Sequence, residues 1–218
     1  MLLGVEVHRS DRDAPTIKLL YAAIGAAVAT LLVMPVEPAL AHAIASYEPS
    51  KGWDRILDVL EWVILLPPHT LLLPIALVVA MLVTVLVRPL RGLAPGMMTI
   101  AFVHLGSRLV TNWIKDGTGR MRPYQVIKKG LDGSFGWEGG VAFPSGHVTL
   151  FASLAIPILY AFPRTRIAAI PLALIVAYVA LARIAVNAHW ISDTLGSISL
   201  VLLMTWAASL VTRPRPAA

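Results

Sequence analysis

The chain has no cysteine. That excludes a disulfide framework, a thiolate metal site and a cysteine nucleophile, and it leaves the redox compartment unreadable from thiol usage. Charge is also scarce: Asp, Glu, Lys and Arg make up 14% of the 218 residues, while 57% are hydrophobic. Soluble domains carry about 25% charged and about 45–50% apolar residues, so the deficit points to a bilayer. No internal repeat or low-complexity stretch is evident. No small-residue cleavage site trails the first apolar run, so a single domain over residues 1–218, without a cleaved signal peptide, is expected. The net charge is +6, but the cations flank apolar runs instead of forming one basic stripe. That distribution fits membrane topology and not nucleic-acid binding.

What is present is a set of six apolar segments: Leu19–Val36, Leu71–Val87, Leu93–Val110, Val148–Phe162, Ile167–Leu181 and Thr194–Val211. Spanning a bilayer core takes about 20 apolar residues, within a range of about 17–25. The fourth and fifth segments reach that length only if flanking residues such as Phe143, Ile184 and Val186 join them. Pro35, Pro74, Pro95, Pro157 and Pro171 lie in or near the segments, which membrane helices tolerate. The expected fold class is therefore an all-α integral membrane protein, a bundle of six transmembrane helices.

Charge orients the bundle. With the N-terminal segment 1–18 on the cytoplasmic side, the inner connections hold Arg9, Arg12, Lys18, Arg88, Arg91, Arg164, Arg166, Arg213 and Arg215. The outer ones hold Glu37, Glu48, Asp54, Asp58, Glu61, Asp116, Asp132, Glu138 and Asp193. This matches the positive-inside rule and puts both termini in the cytoplasm. The loop 115–147 and the turn from Arg183 to Asp193 then share the outer face. Residues 53–66 show helical spacing, with Trp53, Ile56, Leu57, Leu60, Val63 and Ile64 on one side and Asp54, Asp58 and Glu61 on the other. They read as an amphipathic interfacial helix on the outer leaflet, ended by Pro67-Pro68; a buried connecting helix is the other reading.

The polar residues at the segment edges carry the chemistry. Lys115, Arg122 and Arg183 could surround the oxygens of a phosphate, since a dianion needs several charge-assisted donors. Each alone could equally be an interfacial anchor. Pro144-Ser145-Gly146-His147 directly precedes the fourth segment, where a helix start would aim free N–H groups at an anion. Ser145 suits an N-cap or a phosphate contact, and Gly146 lets the backbone come close. His189 and Asp193 are four apart and would share a helix face. A carboxylate on one ring nitrogen fixes the tautomer and makes the other a better nucleophile; a satisfied interfacial histidine beside an unrelated cap is the alternative. The loop 116–140 is rich in glycine (Gly117, Gly119, Gly130, Gly133, Gly136, Gly139, Gly140), which alone marks only a loop.

Taken in order, Lys115-x6-Arg122-Pro123, Pro144-Ser145-Gly146-His147 and Arg183-x5-His189-x3-Asp193 resemble the three-part signature of the type 2 phosphatidic acid phosphatase superfamily. The signature covers residues 115–193, and the six-segment layout extends the likeness over nearly the whole chain. The third block of that family usually begins Ser-Arg; here Ala182 stands at the first position, so one hydroxyl contact to phosphate is missing.

The resemblance implies that His189 attacks phosphorus and forms a phosphohistidine, with Asp193 orienting it. It implies that His147 protonates the leaving oxygen and then activates water. Lys115, Arg122, Arg183, Ser145 and the Gly146 amide would hold the phosphate oxygens. No metal and no other cofactor is expected, because the cations supply the charge, and no carboxylate cluster suited to Mg²⁺ is evident near the site. His104, Arg108, Asn112 and Lys115 lie at near-helical spacing, and this stripe is expected to face the site with Arg108 behind it.

The function so implied is metal-independent hydrolysis of a lipid phosphate or diphosphate at the outer face of a bacterial-type inner membrane, with no obligatory protein partner. Undecaprenyl diphosphate, phosphatidylglycerol phosphate, phosphatidic acid and lipid A phosphate are the substrates the resemblance suggests. The rivals are a lipid phosphotransferase sharing the phosphohistidine, a non-catalytic membrane transport or structural protein, and the related haloperoxidases, which are soluble.

Overall fold

A computed structural model of the protein describes residues 3–47, 52–63, 71–131, 139–162 and 167–212; the side chains of residues 3–14 and of Asp54 stand outside that description. Among the described residues the chain is helical throughout: α1 (Leu3–Val33), α2 (Glu37–Ala45), α3 (Gly52–Val63), α4 (Leu72–Leu86), a 3₁₀ turn (Arg88–Leu93), α5 (Ala94–Thr118), α6 (Pro123–Lys128), α7 (Gly146–Ala161), α8 (Ala169–Ala185) and α9 (Ile191–Thr212).

Each of the six apolar segments becomes one helix. Three stretches are long and apolar enough to cross a membrane: Pro15–Val33, Arg88–Lys128 (which contains α5) and Ile191–Thr212. The other three apolar helices have 15, 16 and 17 residues. At about 1.5 Å per residue they reach roughly 22–26 Å against a hydrocarbon core of about 30 Å. Of the flanking residues that could lengthen them, α8 takes in Ile184, while Val186 only caps it and Phe143 precedes α7. α1 starts well before its apolar run and carries Pro15 inside.

The polarity is that of a protein solvated by lipid. Leu31, Leu32, Ile75, Val79, Leu86, Leu109, Ile170 and Leu174 are exposed, while Thr99, His104, Ser107, Thr149, Ser153, Ser197 and Thr205 are buried. In lipid, small and hydroxylated side chains let helices approach and hydrogen-bond, while long apolar ones face outward. α1 lies along α9, and α5, α7 and α9 pack on one another. Ser199 Oγ donates to the Ala23 carbonyl at 2.9 Å, tying α9 to α1, and Thr99 and Thr212 hydroxyls meet at 2.7 Å, tying α5 to α9. Val103, Val148, Phe151, Ala152, Val179 and Val201 form the apolar centre.

α3 departs from the interfacial reading in one respect. Leu57 is buried and Leu60 packs beside it on the core, while Trp53 stacks on Tyr178 of α8 with ring centroids 5.3 Å apart. Ile56 and Val63, assigned to the apolar face, are exposed, and Glu61, assigned to the polar face, is buried. The helix docks along 53, 57 and 61, one position per turn, with Glu61 meeting His147 of α7. Residues 64–70, including Ile64 and Pro67-Pro68, lie outside the described residues, as do Glu48, Asp132, Glu138, Arg164, Arg166, Arg213 and Arg215 of the charge reading.

Candidate active site

The last turns of α5 and α8 and the first turns of α7 and α9 meet at one end of the bundle. Lys115 lies in the last turn of α5 and Arg183 in that of α8; Asp193 lies in the first turn of α9. His147 is the second residue of α7. Residues widely separated in sequence are thereby brought to one place.

Local chemistry explains the turns. α5 stops at Gly119, whose left-handed φ of 58° a glycine adopts without strain, and its N–H returns to the Lys115 carbonyl at 3.1 Å. The chain then enters the core with Arg120. Residues 119–120 pair with 140–142, through Gly140 N–H to the Gly119 carbonyl and Ala142 N–H to the Arg120 carbonyl, both at 2.8 Å. A side chain on Gly140 would strike the backbone of Arg120 and Met121, so only glycine fits there. After α8, Asn187 takes a left-handed φ of 51°, a conformation asparagine tolerates better than most residues. That reversal lets Ala188 and His189 N–H groups donate back to the Arg183 carbonyl at 3.0 and 3.1 Å.

His189 is therefore held on a turn, two residues before α9, and not on the shared helix face that the four-residue spacing suggests. Its Nδ1 still lies 3.3 Å from Asp193 Oδ2, which also accepts the Trp190 N–H at 2.9 Å. With the carboxylate on Nδ1, the ring proton belongs there and Nε2 keeps its lone pair. Burial pushes the His189 imidazole down to about 4; Asp193 opposes this by hydrogen bond and charge, while Lys115 and Arg122 add to it. At neutral pH the ring is an uncharged base.

The cations gather near it. Lys115 is within electrostatic range of Arg122, Asp193 and Arg183. A Cβ on Gly146 would sit 3.6 Å from Lys115 Nζ, so the start of α7 and this ammonium are neighbours. Ser145 is the N-cap residue of α7, but its hydroxyl makes no capping bond. Fully buried, that hydroxyl has no hydrogen-bond partner among the described residues. The Ser145 backbone is fixed instead: its N–H reaches the Asp193 carbonyl at 3.2 Å, and its carbonyl accepts from Ser197 Oγ at 3.0 Å. A helix start with free amides, an unused hydroxyl and an adjacent ammonium can take an anion.

His147 makes a different contact from any the sequence suggests. Its Nε2 lies 2.7 Å from Glu61 Oε1, on α3. The proposed α5 stripe is also shifted. Asn112 is exposed, and the inward row is His104, Ser107 and Thr111, followed by half-buried Lys115. Thr111 Oγ1 bonds Thr149 Oγ1 at 3.3 Å and His104 Nδ1 meets Ser153 Oγ at 2.9 Å, which is why these positions and not Asn112 turn inward. Arg108 is half-buried, seven residues and roughly 10 Å along the helix from Lys115.

Sequence reasoning missed the largest buried polar side chain at this end. Arg120 is fully buried; its Nη1 donates at 2.6 Å to both Asp193 Oδ1 and Ser192 Oγ, and its Nη2 pairs with Glu37 Oε1. Glu37 accepts from Ser192 N–H at 3.0 Å and Ser192 Oγ at 2.9 Å. Burial raises the Glu37 carboxyl above its ordinary range, against the pull of Arg120 and Ser192. The Arg120 guanidinium lies 5.3 Å from the Trp190 ring centroid, and Trp190 Nε1 donates to the Met121 carbonyl at 2.8 Å. The only sequence signal for Arg120 is its place between Lys115 and Arg122, right after a helix-ending glycine.

Comparison with protein families gives a match to the PAP2 superfamily over residues 96–217. Neither the curated proteins nor the solved structures give a match.

Proposed function

We propose that this chain, which belongs to the PAP2 superfamily, hydrolyses the phosphate or diphosphate headgroup of a membrane lipid through a phosphohistidine, without a metal ion. Members of the superfamily are generally phosphatases, so phosphoric-ester chemistry is the coarse function. The finer reading rests on one observation: Asp193 sits at Nδ1 of His189 and leaves Nε2 as a neutral nucleophile, with Lys115 and Arg122 in electrostatic range.

In this reading the headgroup oxygens lie among Lys115, Arg122, Arg183, the Ser145 hydroxyl and the Gly146 amide. Nε2 of His189 attacks phosphorus and a P–N bond forms as the P–O bond to the leaving group breaks. His147 gives its proton to the leaving oxygen. The same histidine, now neutral, takes a proton from water, whose oxygen attacks phosphorus; the P–N bond breaks and inorganic phosphate departs. The cations stabilise the charge that builds on the equatorial oxygens. Arg108 supports the site from behind.

The proposal extends to place. Six apolar helices span the inner membrane of a bacterial-type cell, with the site at the outer face, where lipid headgroups share its depth. What supports this is the apolar exterior and the gathering of Arg88 and Arg91 at the opposite end of α5 from Lys115.

The test is phosphate release by the purified protein in detergent from phosphatidic acid, phosphatidylglycerol phosphate, undecaprenyl diphosphate and lipid A, with EDTA present, beside His189→Ala. Release by the wild type that falls to background in the variant is expected, and its ranking of lipids names the substrate. Release only when an acceptor lipid or sugar is added makes the protein a phosphotransferase. No release under either condition sinks the enzymatic reading.

A further inference from the structure

Glu37 opens α2, outside the stretch matched to the family, and yet it is almost fully buried against α9. It reaches Asp193 through a single intermediary. Arg120 spends Nη1 on Asp193 Oδ1 and Ser192 Oγ, and Nη2 on Glu37. Ser192 then closes the ring with two hydrogen bonds of its own to Glu37. One oxygen of Asp193 is thereby committed to Arg120, and the other is left for His189 and the Trp190 N–H.

We propose that Glu37 and Arg120 are positioning residues for the phosphoryl-accepting nucleophile. Arg120 takes one oxygen of Asp193 and offsets its charge, and Glu37 holds Arg120 in place, so that Asp193 orients His189 without converting it to imidazolium. The proposal rests on His189 being the nucleophile.

Two physical arguments carry it. A buried group of ions is weak stabilisation for its desolvation cost, so stability alone does not account for a guanidinium between two carboxylates in this place. And an unshielded carboxylate against an imidazole favours the protonated ring, which has no lone pair to attack with. The charged groups facing His189 are Asp193 from α9, Lys115 from α5 and Arg122 before α6. Arg183 of α8 presents its carbonyl to the His189 N–H. Arg120 stands directly behind Asp193, and Glu37 behind Arg120 and also along the wall of a small cleft shared with His189. Arg120 is bonded to the carboxylate that touches the ring.

The experiment compares wild type, Arg120→Lys, Glu37→Gln, Arg120→Gln and the double variant Glu37→Gln/Arg120→Gln in detergent, each checked for folding by size exclusion and thermal melting. The double variant removes one charge of each sign and keeps the protein measurable if Arg120→Gln alone does not fold. In kcat/KM profiles on the best lipid, loss of the guanidinium moves the acid limb to higher pH by on the order of one unit. Arg120→Lys keeps the limb and lowers kcat; Glu37→Gln does not move the limb upward. The imidazole of His189 is also titrated by NMR in ¹⁵N-histidine-labelled wild type and variants, which reads the coupling without turnover. A folded Arg120→Gln or double variant whose limb and imidazole titration stay at the wild-type values overturns the proposal. A wild type that releases no phosphate overturns the phosphatase reading instead, while the titration still decides whether Arg120 governs His189.

Discussion

Glu61 Oε1 lies 2.7 Å from His147 Nε2, joining α3 to the first turn of α7. The carboxylate is mostly buried and the imidazole about one-third exposed. A carboxylate on Nε2 fixes the orientation of the ring and leaves Nδ1 as the nitrogen that can face a leaving group. Glu61→Gln keeps the shape and removes the charge. It should lower kcat on lipid substrates by about tenfold, a part of the roughly 10²–10⁴-fold that general acid–base catalysis contributes. Graded leaving groups check this: the variant should lose most on the most basic alcohols. An equal loss on p-nitrophenyl phosphate and on lipid would refute it.

Ser145→Ala separates binding from folding. The hydroxyl is buried and bonds no described residue, so its removal leaves the empty protein as stable as before, or slightly more so. A hydrogen bond to a charged oxygen contributes about 1.5–3 kcal/mol, so kcat/KM should fall roughly tenfold to a hundredfold. Melting without ligand and vanadate inhibition measure the two sides. A variant that melts well below wild type would make Ser145 a structural cap.

Acidification should act through His189. The folded imidazole titrates near about 4, pushed there chiefly by burial, and the unfolded one near about 6.5. Between these values the unfolded chain binds the proton and the folded one does not. The contribution to stability is therefore complete above about 6.5 and is lost as pH falls toward about 4. Activity should persist lower, with an acid limb in kcat/KM near about 4. Melting from pH 7 to 4 checks the first part, and His189→Ala should flatten the dependence. A limb at pH 6 or above would show an ordinary, solvated histidine.

Orientation can be read with thiols because the chain has none of its own. Lys128→Cys places one at the exposed end of α6, near the site, and Arg91→Cys places one in the turn at the other end of α5. In intact cells a membrane-impermeant maleimide should label position 128 and reach position 91 only after permeabilisation. The reverse pattern would put the site in the cytoplasm.

The helices were legible because an apolar run can satisfy its backbone in a bilayer in few ways, and six such runs give six helices. The residues of the three signature blocks were legible because their spacings are local. Arg120, Glu37 and Glu61 were not. Their partners lie 83 residues from Glu37 in one direction, and Ser192 lies 155 away; no periodicity reports such a pair. Glu37 and Glu61 read as acids of the outer surface because a charge in a polar connection looks solvated until the fold closes over it. The α5 stripe failed by one position for a related reason. Spacing alone does not choose between Thr111 and Asn112; the Thr149 hydroxyl on α7 chooses.

Both carboxylates that reach the site from afar, Glu37 and Glu61, precede the segment matched to the family. Every residue of the three signature blocks follows its start. A graft of residues 96–217 onto a foreign N-terminal half would thus inherit the nucleophile, the acid and the cations, but with Arg120 short of one counter-ion and His147 without its carboxylate. Such a chimaera needs two acids transplanted with it, and shuffling between relatives will tolerate crossovers before α2 far better than crossovers between α3 and α4.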